Sequence, residues 1–205
     1  MKDDTDETDT DEADTDTDAD SDTDADTDTD TDTDTDTDTD TDTDTDADLI
    51  ISEVCDHADV ATIKYVELYN PTSAAVSLKG WSIRRYANGS TTSQSADLSS
   101  LTIAAAQAVV IASNQSDYEG QFSPAAEVYS SVISGNGDDV YELFDGTSTV
   151  DIYGEVGVDG DGTDWEYLDS VAKRNSSITA GSIVWDSSEW TISVGAKDAN
   201  PHNRN

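Results

Sequence analysis

Residues 65–84, YVELYNPTSAAVSLKGWSIR, constrain the fold more than any other part of the chain. Val66 and Leu68 alternate with polar or aromatic neighbours, which is the two-residue period of a half-buried strand. Pro71 ends this strand, because proline fixes its own φ and disfavours a helical conformation at the residue before it. The alternation resumes over residues 76–83. The segment therefore predicts two antiparallel strands that pair with each other across a turn.

Further short apolar stretches follow along the chain, at residues 101–111, 127–133, 140–144 and 150–153. Turns rich in Gly, Asn and Asp separate these stretches, and no helical period persists over a dozen residues. This arrangement predicts an all-β sandwich.

Several residues of the first segment resemble the core motif of the lamin-tail domain family, namely Glu67, Asn70, Val76, Leu78, Gly80 and Trp81. Residues 49–54 are similar to the first strand of that family, and residues 101–111 are similar to a later strand. Residues 172–190 resemble the closing segment of lamin-tail domains in bacterial secreted proteins, including those that precede extracellular nuclease domains. The resemblance extends over residues 49–195 and implies an immunoglobulin-like β-sandwich of the lamin-tail type.

Residues 1–48 are a near-perfect alternation of Asp and Thr that contains 25 acidic residues and one Lys. Such a segment has too little apolar surface to offset the entropy lost on ordering, so we expect a disordered acidic stalk. Residues 49–195 then form the lamin-tail-like sandwich, and the polar residues 196–205 form a loose C-terminal tail.

The acidic composition restricts the partners. The formal net charge of the chain is −38 at pH 7, and nucleic acid is disfavoured because its binding requires Lys and Arg to neutralise phosphates. Anionic membrane surfaces are disfavoured for the same reason, and no apolar run approaches the ~18 residues of a membrane span. A protein or glycan partner is compatible with this charge.

No apolar secretion signal follows Met1-Lys2. Asp-Thr stalks of this kind nevertheless resemble those that lie between a bacterial secretion or lipoprotein signal and a surface domain. We therefore expect an extracellular or cell-surface location in a bacterium, and a lipid anchor in the full-length precursor is left open.

Asp159, Asp161 and Asp164 are the candidate metal ligands, because closely spaced carboxylates separated by Gly are typical of calcium loops. The spacing fails the EF-hand rule. With Asp159 as the first ligand, Asp164 stands at the sixth position, which requires Gly, and Ser170 stands at the twelfth, which requires Glu. Two alternatives stay open, a less demanding calcium loop and an acidic surface loop without metal, and no other cofactor is expected.

Three aromatic residues near this loop, Trp165, Tyr167 and Trp185, are predicted to lie in the core, and a sugar-stacking platform is the alternative. Cys55 is the only cysteine, which excludes an intramolecular disulfide. Its place at the end of an apolar run predicts a small buried residue. His57 is expected in a loop rather than as a ligand or a base.

No catalytic signature stands out. The two histidines, His57 and His202, fall in expected loops, so no nucleophile with an adjacent base is indicated. Carboxylates are so numerous that no catalytic pair is singled out. We therefore expect a non-catalytic binding, adhesion or accessory module rather than an enzyme. Two alternatives are a structural unit that self-assembles through exposed strands and an accessory domain of an extracellular hydrolase, such as a nuclease, whose catalytic part lies outside this chain.

Overall fold

A computed structural model describes residues 48–195 and 197–204 of the chain. The predicted disordered stalk therefore lies, apart from Asp48, outside the described residues. In chain order the strands are β1 (Ile50–Asp56), β2 (Lys64–Tyr69), β3 (Val76–Ser77), β4 (Ser82–Tyr86), β5 (Ser93–Asp97), β6 (Thr102–Ile103), β7 (Ala108–Ala112), β8 (Val128–Tyr129), β9 (Val140–Phe144), β10 (Thr149–Tyr153), β11 (Ser170–Arg174) and β12 (Trp190–Val194). A short helix, α1 (Gln115–Gln121), follows β7, and a 3₁₀ turn (Ser187–Glu189) precedes β12.

Two sheets face each other. The first has six strands in the order β12-β11-β1-β2-β7-β8, and the second has four in the order β10-β9-β4-β5. Strands β3 and β6 form a separate two-stranded pair. Neighbours in both sheets are antiparallel except β7 and β8, which are parallel. The predicted all-β, immunoglobulin-like sandwich is confirmed.

Alternate side chains of the central strands fill the space between the sheets, as the two-residue period of a strand requires. The six-stranded sheet contributes Ile51, Val54, Val66, Leu68 and Ile111 to this core. The four-stranded sheet contributes Ile83, Leu143 and Ile152. Trp81, just before β4, is 9% exposed and belongs to the same core.

The predicted pairing between the two strands of residues 65–84 is wrong. β2 pairs with β1 and β7, whereas β4 pairs with β5 and β9, so the two strands lie in different sheets. The amide of Asn70 donates hydrogen bonds to the carbonyls of Ala74 (2.8 Å) and Ile103 (2.9 Å), which hold the connection as it leaves β2. An alternating pattern identifies the buried face of a strand and not its neighbour, because strands in one sheet and strands in opposite sheets share the same pattern.

The outer face of the six-stranded sheet is also largely covered. A second apolar cluster there includes Cys55, Tyr65, Val110 and, from α1, Tyr118. Cys55 is a free cysteine and is 1% exposed, which confirms the predicted buried position. Burial raises the pKa of its thiol, and the neighbouring Glu53 carboxylate adds to the rise, so the thiolate is strongly disfavoured.

Residues 197–204 differ from the loose C-terminal tail that their composition predicted. The N–H of Asn200 donates to Oε1 of Glu53 (3.2 Å), and the N–H of His202 donates to Oε2 of Glu67 (2.6 Å). These contacts use main-chain donors and carboxylates on the sheet. The apolar pattern of the sequence does not predict these two hydrogen bonds, because residues 197–204 bind to the sheet through main-chain N–H groups and not through large apolar side chains.

Candidate binding groove

A groove runs along the β10 edge of the four-stranded sheet, between β10 with the loop after it and residues 182–189. It has two adjoining parts, of about 530 Å³ and about 450 Å³. Glu155, Val184 and Trp185 line both parts, so we treat them as one continuous groove.

Asp151 fixes the wall of the groove. It lies on β10, is fully buried, and accepts a hydrogen bond from the N–H of Ser182 at 2.8 Å. The N–H of Ile152 donates in return to the carbonyl of Ser182 at 3.0 Å. Residues 182–189 therefore start against the edge of β10, and the apolar residues that follow Ser182 are placed beside the sheet.

Arg174 fixes the far end of the groove. Its side chain is 1% exposed and forms ion pairs with both Asp151 and Glu189. Its guanidinium also lies 5.4 Å from the centre of the Trp190 ring. Because Glu189 lines the groove, this single cation connects the 3₁₀ turn at one end of the groove to β10.

A group of packed aromatic rings supports the groove from below. The Tyr153 ring meets the rings of Trp185 and Trp190 edge to face, with centroids 4.9 and 4.8 Å apart. Trp185 stacks on Trp190, and its indole N–H donates to Asp164 at 2.9 Å. The Trp185 ring is therefore held in place, and its half-buried position leaves only part of it at the surface.

Exposed aliphatic side chains form the apolar lining. Ile183 is 66% exposed, Val184 is 69% exposed, and Val156, in the loop after β10, is 40% exposed. Large aliphatic residues exposed together on one surface are uncommon in a monomeric soluble protein and mark interaction sites. The groove thus offers an apolar surface in a fixed position.

Carboxylates surround this apolar lining, and no Lys, Arg or His lines the two parts. The acidic residues are Glu142, Glu155, Asp164, Asp186 and Glu189. Glu142 is buried at the floor, where it accepts a hydrogen bond from the Tyr86 hydroxyl at 2.6 Å and lies 3.5 Å from Arg84. Glu155, Asp164 and Asp186 are exposed.

The structure does not bring the three predicted metal ligands together. The carboxylate of Asp159 accepts a hydrogen bond from the N–H of Asp161 at 3.2 Å, while Asp164 is used by the indole of Trp185. Within residues 48–195 and 197–204, no three or more His, Cys, Asp or Glu side chains form a group that could hold a metal ion. Asp164 instead belongs to the groove.

The predicted aromatic residues divide between core and groove. Trp165 and Tyr167 are each 1% exposed and belong to the core between the sheets, as expected. Trp165 packs so closely under Gly154, which has a φ of 87°, that a Cβ there would lie 3.0 Å from the indole. Only Trp185 of the three reaches the groove, so a flat platform of several exposed rings is not formed.

His57 and Cys55 are both buried at the end of β1. The His57 ring nitrogen Nδ1 accepts hydrogen bonds from the N–H groups of Asp59 (3.2 Å) and Val60 (3.3 Å), which is a structural use of the ring. As predicted, His57 lies outside the strands, next to the last residue of β1.

The sequence model of the Lamin Tail Domain family matches residues 42–157, more than half of the chain. The chain belongs to this family. This match confirms the resemblance noted in residues 65–84. The lamin tail domain family is immunoglobulin-like and non-catalytic. No curated protein was found to match the chain.

The family match ends at residue 157, before β11, β12 and the 3₁₀ turn. β11 nevertheless pairs with β1, in the register Val54 to Ala172, and β12 continues the same sheet. One wall of the groove thus comes from the part of the lamin tail domain that the family model matches, and the other comes from residues beyond the match. Among the residues that the structure describes, none of the helices has the length and apolar character that a membrane crossing requires.

Sequence analysis missed Ile183 and Val184 as site residues. They stand as an aliphatic pair between Ser182 and Trp185, with no alternating neighbours to suggest a strand. The sequence signal that could have identified them is two adjacent large aliphatic residues that fit neither a strand period nor a helix period. Such residues are not placed in the core by the pattern of a strand or a helix.

Proposed function

We propose that this lamin tail domain is a non-catalytic module that binds a segment of another protein in the groove. The observation that carries the proposal is the exposure of Ile183 and Val184 beside the fixed Trp185 ring. The free energy gained by covering apolar surface is the main favourable term in most protein association, and it requires no catalytic group.

A protein segment fits this lining better than a glycan does. Sugars stack on the open face of an aromatic ring, and the rings of Trp165 and Tyr167 are buried while one side of Trp185 is occupied by Trp190. The accessible apolar atoms belong mainly to aliphatic side chains, which suit the side chains of another protein. The acidic surroundings favour a partner with positive charge.

A non-catalytic role is consistent with the candidate reactive groups. Burial raises the pKa of the Cys55 thiol, and both main-chain bonds at His57 occupy the nitrogen that a general base would use. The module is proposed to act at the surface of a bacterial cell or outside it. The Asp-Thr repeat of residues 1–48 supports this location, since it resembles the segments that lie between a bacterial secretion or lipoprotein signal and a surface domain.

The test is a selection of peptides from a random phage-displayed library on the full chain. The variant Ile183→Ser with Val184→Ser removes the two most exposed aliphatic side chains of the groove without changing any charge. Diffuse attraction of basic peptides to the acidic residues 1–48 is therefore the same in both proteins. Val194→Ser is the matched control, because Val194 is 83% exposed on β12 and does not line the groove.

We expect enriched peptides that bind the wild type and the control equally and bind the double variant at least about tenfold more weakly. Peptides that bind all three proteins equally would contradict the proposal. An array of glycans is screened in parallel, and binding of a glycan that depends on Trp185 and not on Val184 would overturn the choice of a protein partner.

Self-assembly is a second candidate, and one observation favours it. In the residues that the structure describes, β12 is an end strand of the six-stranded sheet and carries no charged residue. An uncharged edge strand can pair with the same strand of a second copy. Sedimentation of the full chain over a range of concentrations tests this idea, since a dimer lost in Val194→Lys is expected for pairing through β12, and a monomer throughout rejects it.

A further inference from the structure

We infer that the partner segment carries an aliphatic side chain and a Lys or Arg side chain within a few residues of each other. This inference rests on the proposed function and specifies the chemistry that the groove recognises. It follows from a difference between the two parts of the groove.

The first part has aliphatic side chains on both of its sides. Ile152 and Val156 line one side and Ile183 lines the other, so an aliphatic side chain entering here can contact aliphatic carbon on either side. The Glu142 carboxylate at the floor already has a hydroxyl donor in Tyr86 and a cation in Arg84. Glu155 also lines this part and has no ion-pair partner among the residues that the structure describes, but the second part shares it. The side chains that line the first part alone therefore select for apolar shape rather than for charge.

The second part is polar and acidic. Its lining includes Asp164, Asp186 and Glu189 and contains one aromatic ring, that of Trp185. Glu189 is neutralised by Arg174. Asp164 and Asp186 form no ion pair with any residue that the structure describes, so their two charges face the groove without a cation.

Both aspartates are held in place by neutral donors. Oδ1 of Asp164 accepts the indole N–H of Trp185 at 2.9 Å, and Oδ1 of Asp186 accepts the N–H of Ser188 at 2.9 Å. In each carboxylate the other oxygen remains for a ligand. Two fixed carboxylates at one surface suit the donors of a guanidinium or an ammonium group, and charge-assisted hydrogen bonds of this kind are stronger than neutral ones.

The two parts adjoin at Val184 and Trp185, which line both. An extended peptide advances ~3.3 Å per residue, and adjacent side chains point to opposite sides. A segment lying along the groove would therefore present an aliphatic residue to the first part and a basic residue to the second part within a few residues.

The experiment compares two probes and three variants of the full chain by fluorescence anisotropy at physiological ionic strength. The first probe is an Ala-rich host peptide with one Ile and, two residues later, one Arg; the second has Gln in place of Arg. The charge variant is Asp164→Asn with Asp186→Asn, in which the amide oxygens keep the hydrogen bonds to Trp185 and Ser188. The charge-matched control is Asp97→Asn with Glu119→Gln, since both residues are exposed and neither lines the groove.

We expect the wild type to bind the Arg peptide about tenfold more tightly than the Gln peptide. The charge variant should lose this preference, and the control pair, which carries the same change in net charge and the same stalk, should keep it. The Ile183→Ser, Val184→Ser variant should bind both peptides more weakly.

Each outcome decides a different claim. If the charge variant keeps the preference for Arg, or if the wild type shows none, the inference is overturned, while loss of binding in the apolar variant leaves the proposed function standing. If the apolar variant binds both peptides as the wild type does, the proposed function falls as well. Thermal unfolding of every variant establishes that a lost affinity does not reflect a lost fold.

Discussion

Asp151 and Arg174 form a buried ion pair that joins the two sheets of the sandwich. Their charged groups are 2.5 Å apart, and their side chains are 0% and 1% exposed. Asp151 belongs to β10 of the four-stranded sheet, and Arg174 belongs to β11 of the six-stranded sheet. The same carboxylate accepts the N–H of Ile51 at 2.7 Å and the N–H of Ser182 at 2.8 Å. One side chain thus connects the core strands to the wall of the groove.

Asp151→Ala should destabilise the domain by about 3–5 kcal/mol, because it removes one of the two carboxylates that pair with the buried Arg174 guanidinium. It also leaves the N–H groups of Ile51 and Ser182 without this acceptor. The free energy of unfolding is measured from urea titrations followed by tryptophan fluorescence. Asp97→Ala is the control, since Asp97 is exposed and lies on the opposite edge strand of the same sheet. Equal stability of the wild type and Asp151→Ala would show that this ion pair is not a structural contact.

The faces of the strands were predictable from sequence, whereas the neighbours of the strands were not. Val66 and Leu68 were expected on a buried face, and they lie in the core between the sheets. The partner of β2 was mistaken because a period of two residues reports burial alone. What separates β2 from β4 is the connection held by Asn70, whose partners include the distant carbonyl of Ile103. A contact with a residue that far along the chain leaves no local signal.

The groove was less predictable than the fold. Asp151 alternates with apolar neighbours in β10, so the sequence suggests an exposed position, and its burial depends on Arg174 reaching it from another sheet. Asp159, Asp161 and Asp164 were predicted as candidate metal ligands because they lie close together in the sequence. Asp164 instead contacts Trp185, 21 positions later, and sequence proximity gave no indication of that contact.

Asn70→Ala is the second variant with a defined structural consequence. The Asn70 side chain is buried, donates to three carbonyls and accepts the N–H of Thr72 at 2.9 Å. Removing it leaves the buried Ile103 carbonyl without this donor, and we expect a loss of stability of about 1–3 kcal/mol. Urea unfolding measures the loss. The exposed Gln107, substituted by Ala, should show little change, and a comparable loss there would indicate that the Asn70 contacts are not responsible.

The pH dependence of stability should report on Glu67. This side chain is 1% exposed, and burial raises its pKa from 4.5 to about 7, with the neighbouring Glu53 carboxylate adding to the rise and the Ser52 hydroxyl opposing it. The folded protein therefore binds the Glu67 proton more tightly than the unfolded chain does. Its contribution to the free energy of unfolding is fully present below pH 4.5 and is lost as the pH rises to about 7. The loss amounts to roughly 3 kcal/mol at most.

Glu67→Gln should abolish this part of the pH dependence, because glutamine stays neutral while it occupies the same space. We expect the variant to gain stability relative to the wild type between pH 5 and pH 8, as measured by urea unfolding at both values. The comparison is made on the full chain, so titration of the stalk carboxylates is common to both proteins. Glu119→Gln is the control, since Glu119 is exposed on α1. This substitution should change the free energy of unfolding by the same amount at pH 5 and at pH 8. Parallel pH profiles of the wild type and Glu67→Gln would contradict this prediction, because they would mean that Glu67 titrates alike in the folded and unfolded chains. In that case the C-terminal residues, which reach Glu67 through the N–H of His202, do not exclude water from its carboxyl group.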